Sequence, residues 1–189
     1  MMDRLHPADS RTAAFLHRLR AMHPRDCLRI FCIQHIDHLV FSMDMSDVPE
    51  PPPAWGELTI ECKMIGADDL GYCAFLEREL VCRVCARRHV LLLAQFGFGN
   101  PFVLGDGYTS QPHRGRGIFT KVLRYALNDL KKNRGVNGEV MALVVPENTP
   151  SIHAFLRAGF RTVARLRAIR CGPFLMRRSR TVFDAGDRE

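Results

Sequence analysis

Residues 111–135 read QPHRGRGIFTKVLRYALNDLKKNRG, and this stretch decides the fold. Gly115 and Gly117 sit in a turn. After them Ile118, Val122 and Ala126 fall on one helical row, with Phe119, Leu123, Leu127 and Leu130 on the adjacent row. Lys131, Lys132 and Arg134 fill the last turn and Gly135 supplies a stop, so the spacing predicts an amphipathic helix between the two glycine signals. Upstream, Phe102 to Thr109 reads as a strand in which Gly105 and Gly107 mark a bulge or a close backbone approach. Strand, Arg114-Gly115-Arg116-Gly117 and helix form one unit. Its glycines allow a ligand to approach the backbone, and the first-turn N–H groups point outward with the positive end of the helix dipole behind them. That arrangement cradles a pyrophosphate, although on glycine spacing alone a tight turn with no ligand fits equally well. Seven Lys and Arg side chains stand against Asp129 alone in this stretch, which adds attraction for anions. No Gly-Lys-Ser/Thr follows, which excludes a P-loop, and the third glycine of the dinucleotide fingerprint would fall at Thr120.

Working outward, Val140 to Val145 is a continuous apolar run expected of a strand covered on both faces. Thr149 and Pro150 predict the N-cap and first turn of a short helix that Gly159 ends. Arg161–Ile169 and Phe174–Arg178 predict a hairpin around Gly172 and Pro173. On the N-terminal side, Leu58, Ile60, Cys62 and Met64 alternate with polar residues as a half-buried strand does. Asp68 and Asp69 mark a helix start, and the stretch 79–98 reads as one or two strands with a turn near Ala86 to His89. Residues 12–22 predict a basic amphipathic helix, Leu28 to Ile36 a second short helix, and 39–45 a strand that joins or covers the same sheet. The prolines at 49, 51, 52 and 53 make 46–56 a linker, giving an N-terminal extension over 1–56 and a main domain over 57–189.

The 189 residues are 47% hydrophobic and 25% charged, which excludes disordered, collagen-like and coiled-coil classes. The longest apolar stretch, Val90 to Phe98, is far shorter than the roughly 20 residues of a spanning helix, so no membrane span is expected. No secretory signal is visible in the first residues, and the expectation is a cytoplasmic protein. Seven cysteines, an odd number scattered through apolar segments, read as reduced packed thiols. Cys82 and Cys85, with His89 nearby, lack the second close pair of a zinc site, and no metal is expected. The net charge of +7 favours an anionic partner. The arginines at 161, 165, 167, 170, 177, 178 and 180 form a solvated outer strand or a rim for an acidic substrate or nucleic acid; no aromatic platform interleaves with them, which disfavours nucleic acid.

A second motif follows the buried strand. Asn148-Thr-Pro-Ser151 is succeeded by Phe155 and by Gly159-Phe160. Together PHRGRG and NTPSIHAFLRAGF resemble the two cofactor motifs of the GNAT superfamily of acyl-CoA-dependent N-acetyltransferases, in the expected order, within 57–178. The resemblance implies an α/β fold with a mixed, mostly antiparallel sheet, splayed between its fourth and fifth strands and flanked by helices, here with an N-terminal helical extension. It implies acetyl-CoA as co-substrate and a small-molecule or peptide amine as acceptor, and it is compatible with a homodimer. The cofactor-binding residues it implies are Thr109, Gln111, Arg114, Gly115, Arg116, Gly117, Ile118, Phe119, Thr120, Asn148, Ser151 and Phe155. Pantetheine would pair with the strand near Tyr108 and Thr109, and residues 114–119 would hold the pyrophosphate. The catalytic candidates are Asp106 and Tyr108. The chain departs from the family's pattern at Pro112, where Gln or Arg is common, and at Gly105, where some relatives place a glutamate. It departs again at Phe155, where many have a tyrosine; phenylalanine has no proton to give. Loss of the tyrosine and the glutamate favours, as the alternative, a non-catalytic acyl-CoA-sensing or nucleic-acid-binding module, and retention of both cofactor motifs stands against it.

Overall fold

The structure, a computed structural model, describes residues 33–50, 56–171 and 174–183. Eight strands form one sheet: β1 (Ile33–Asp44), β2 (Thr59–Met64), β3 (Leu70–Leu76), β4 (Glu79–Arg87), β5 (Phe102–Thr109), β6 (Glu139–Val144), β7 (Arg161–Cys171) and β8 (Phe174–Val182). Among the described residues three helices accompany them, α1 (Leu91–Gln95), α2 (Ile118–Lys132) and α3 (Thr149–Ala158). The strand order is β2-β3-β4-β5-β6-β1-β7-β8. Pairing is antiparallel from β2 through β5 and between β1 and β6, and parallel between β5 and β6. By its contacts the chain divides into two units, Asp37–Leu166 with Ser179–Glu189, and Met1–Ile36 with Arg167–Arg178. The larger holds all three helices; the described residues of the smaller are ends of β1, β7 and β8.

The expected helix is α2, and its two apolar rows explain why it packs. Ile118, Val122, Leu123, Ala126, Leu127 and Leu130 are all buried against β3, β4 and β5. Each large side chain removed from water in this way contributes about 1.5–3 kcal/mol. The same face carries a charge. Asp129 is buried, and the hydroxyl of Tyr72, itself wholly buried on β3, donates to its Oδ2 at 2.9 Å. Asn133 Nδ2 donates to Oδ1 at 2.7 Å and Arg134 lies 3.6 Å away, so the carboxylate keeps three partners. Burial and the Asp129 charge push the Tyr72 phenol up, which keeps it protonated and a donor.

Strand 39–45 does enter the sheet. Leu39 to Asp44 pair with Val144 to Glu139, so β1 lies between β6 and β7 and both its faces are covered. The expected strands at 58–64, 102–109, 140–145 and the C-terminal pair are present as β2, β5, β6, β7 and β8.

Four local expectations are corrected. Ile33–Ile36 belongs to β1 and not to a helix, because the sheet overrides a helical apolar spacing; the rest of that expected helix, and the one at 12–22, lie outside the described residues. Asp68 and Asp69 open no helix. The Asp69 carbonyl accepts the Ile65 N–H and its carboxylate accepts the Arg88 N–H, which closes the turn from β2 into β3. The 79–98 stretch is one strand followed by α1, since Leu91-Leu-Leu-Ala94 favours helix once His89 (φ +58°) has turned the chain. Finally the N-cap of α3 is Asn148 and not Thr149. The Asn148 Oδ1 accepts the Ser151 N–H at 3.3 Å, leaving Thr149 and Pro150 inside the first turn.

Among the described residues no helix is long and apolar enough to cross a membrane.

Candidate functional site

The site begins where two strands stop pairing. β5 and β6, the fourth and fifth strands counted from residue 57, are joined at Phe102–Val140, Val103–Met141 and Leu104–Ala142. Beyond Leu104, residues 105–109 have no partner on that side. On its other side β5 stays paired to β4, with an extra residue: Cys85 opposes Gly105 and Arg83 opposes Tyr108. The bulge is taken up by Asp106 at φ +48°. The expectation of a bulge and a close approach at the β5 glycines is met. A Cβ on Gly107 would stand 2.4 Å from the Phe119 ring, so only glycine lets α2 come this near.

At the end of β5 the Ser110 N–H bonds to the Val81 carbonyl (2.9 Å) and a short 3₁₀ turn, Gln111–His113, leads into the glycines. Arg114 folds back, its Nε donating to the Thr109 carbonyl at 3.1 Å, which fixes a guanidinium at the mouth of the opening. Gly115 (φ +74°) and Gly117 (φ +71°) adopt the left-handed conformation, and a Cβ on either would meet nothing within 4 Å. Gly117 is the N-cap of α2 and provides no side chain, so the N–H groups of the first turn are left for an outside acceptor. This backbone fits a pyrophosphate.

These elements enclose a cleft of about 580 Å³. Tyr108, Thr109, Arg114, Gly115 and Gly117 line it, as do Ile118, Phe119 and Thr120 from α2 and Asn148 and Ser151 from α3. Four expected residues are not on its wall. Phe155 is buried beneath it, ring to ring with Phe41 (5.9 Å), Phe119 (5.9 Å) and Phe160 (5.1 Å). Gln111 and Arg116 are exposed on the loop. Asp106 is held at 2.6 Å by Arg87. The cleft adds His113 and Arg157, which sequence reasoning missed. Arg157 lies two turns after Pro150 and one after Ala154, both cleft residues, and that helical spacing was the signal available for it. The Nδ1 of His113 is buried without a hydrogen-bond partner among the described residues, as is the hydroxyl of Ser110 in the same turn.

The two faces of β5 differ. Gly107 faces α2, and the Thr109 hydroxyl donates to Cys82 on that side. Tyr108, between them, faces the opposite side and is half exposed. Burial pushes the Cys82 and Cys85 thiols up, so neither is a ready nucleophile.

A parallel strand pair that parts beside an uncapped, glycine-led helix defines an α/β protein with an open cleft between two of its strands. Residues 45–160 match the model of the Acetyltransferase (GNAT) family, and the chain belongs to that family. A Drosophila protein of solved structure shares the fold with a TM-score of 0.54 at 15% identity, over 85% of this chain and 58% of that one. A GCN5-related N-acetyltransferase from Kribbella flavida gives 0.52 at 13% identity, over 80% of this chain and 64% of that one. The chain thus spans less than two thirds of either structure. Comparison with curated proteins gave no match.

Proposed function

We propose that the protein transfers an acetyl group from acetyl-CoA to a primary amine. The observation that carries the reading is the junction of the β5–β6 opening with the open, left-handed Gly115 and Gly117 at the uncapped start of α2. In this reading the N–H groups of residues 114–119 hold the pyrophosphate, with Arg114 and Arg116 supplying charge and Gln111 flanking them. Thr109 pairs with pantetheine, Thr120 and Ser151 face it across the cleft, Asn148 holds the start of α3, and Phe155 backs Phe119 from below.

The amine lone pair attacks the thioester carbonyl carbon, and a strand N–H stabilises the oxyanion that develops. The C–N bond is made, the C–S bond breaks, the amine loses a proton and the departing thiolate gains one. Phe155 donates none, so that step falls to the hydroxyl of Tyr108, a residue of the cleft wall. Tyr108→Phe should lower kcat by about 10²-fold or more with acetyl-CoA affinity kept. Arg87 occupies one side of the Asp106 carboxylate, and the half-exposed remainder draws the acceptor's ammonium and takes its proton through water. Asp106→Asn should cost about 10²-fold in turnover. Unchanged turnover across about pH 6–9 would reduce Asp106 to a partner of Arg87.

The buried, protonless Phe155 favours a second reading, a non-catalytic acyl-CoA sensor. Release of free CoA thiol from acetyl-CoA, followed across a panel of amines, decides between them: binding without release supports the sensor.

A further inference from the structure

The register across β2, β3, β4 and β5 sets one row of side chains on the face away from α2: Glu61 opposite Cys73, Cys73 opposite Arg83, Arg83 opposite Tyr108. Directly opposed residues share a face, with Cβ atoms about 4.5–5.5 Å apart. The next positions on that face bring in Lys63, Cys85 and Arg87, with Asp106 beside them on the bulge. Cys85 feels the charges of Asp106, Arg87 and Arg83 together, as expected where these groups converge on one patch.

The charges on this patch pair off, with one exception. Lys63 is 2.8 Å from Glu61, and Arg87 is 2.6 Å from Asp106. The side chain of Arg83 is exposed and has no ion pair or hydrogen-bond partner among the described residues. It stands across the ladder from Tyr108, a residue of the cleft wall. A guanidinium is a planar fork of donors matched to a carboxylate, and a charge-assisted pair of this kind is roughly twice as strong as a neutral hydrogen bond.

We infer that Arg83 is a specificity residue that receives the carboxylate of the acceptor, so that the acceptor is a small amine carrying a free acid, of the amino-acid type. This rests on the transferase reading above and deepens it. Asp106 and Arg83 then flank Tyr108 with opposite charges, drawing the ammonium to one side and the carboxylate to the other. The amine is presented at the β5–β6 opening from the face opposite α2.

The test compares glycine, alanine and glutamate with glycinamide, alaninamide and glutamate α-amide, scoring acetyl transfer as kcat/KM. Wild type should prefer each free acid to its amide. Arg83→Ala should shrink that preference about 10- to 100-fold, the worth of a hydrogen bond to a charged group, with acetyl-CoA affinity retained. Arg83→Lys should restore part of it, since charge returns without the fork. Equal use of acids and amides by wild type overturns the inference, as does equal loss on both in Arg83→Ala. Acetyl-CoA binding with no transfer to any free acid overturns it as well. Failure to bind acetyl-CoA at all would instead overturn the transferase reading, which calorimetry with acetyl-CoA alone separates from the other outcomes.

Discussion

Acetyl-CoA binding should be lost in Gly117→Asp while the far-UV circular dichroism of the fold is retained. The space above Gly117 is open, so the new side chain meets no protein atom near its Cβ. Its backbone cost is that of one L-residue held at φ +71°, about 1–2 kcal/mol, against a typical stability of about 5–15 kcal/mol. The chain therefore still folds. What changes is the proposed cradle, where a carboxylate would stand at the first-turn N–H groups, repel a pyrophosphate and block its approach. Two or more charged hydrogen bonds at about 1.5–3 kcal/mol each would be lost, a fall in affinity of more than about 100-fold. Calorimetry measures it. Gly117→Ala, which carries the strain without the charge, should lose far less, and equal binding by wild type and the Asp variant would remove the cradle from this loop.

Asp129→Ala should destabilise the fold more than any surface change. It leaves the wholly buried Tyr72 hydroxyl without its acceptor, at about 1–3 kcal/mol, and removes the partner of Asn133 and Arg134 besides. In a chain of this length each kcal/mol lowers Tm by about 2–4 °C, so thermal unfolding reads the effect directly. The double variant Tyr72→Phe, Asp129→Ala should recover part of the loss, because an absent hydroxyl needs no acceptor. An unaltered Tm in Asp129→Ala would show the buried pair to be energetically idle.

The parts of this molecule legible in its sequence are those encoded locally. The rows of α2, the glycines before it and the Asn148–Phe160 motif all lie within short stretches, and each appears where its spacing places it. The β3–β4 hairpin was missed for an equally local reason. Its two-residue turn is Glu77-Arg78, both at positive φ, where the usual signal is Asn-Gly or Asp-Gly. The rest depends on pairing across the fold. Asp129 reads as the one acid in a basic stretch, and nothing nearby in sequence reveals Tyr72 57 residues away. The opposition of Arg83 and Tyr108 depends on a ladder shifted by the Asp106 bulge, and so cannot be found by counting along either strand. Arg157 lay within reach of helical periodicity once the cleft-facing side of α3 was known.

The place of β1 in the sheet also orders the events of folding. Leu39 finds its partner in Val144, made about a hundred residues later, and β6 and β7, though consecutive strands in chain order, are kept apart by a strand made long before either. During synthesis the first described strand therefore emerges early and waits with two unsatisfied edges until most of the chain has followed. A nascent chain in that state can pair with a neighbour's strand as readily as with its own. The segment whose docking completes this part of the sheet is thus also one left open to mispairing until β6 and β7, on either side of the last described helix, have both been made.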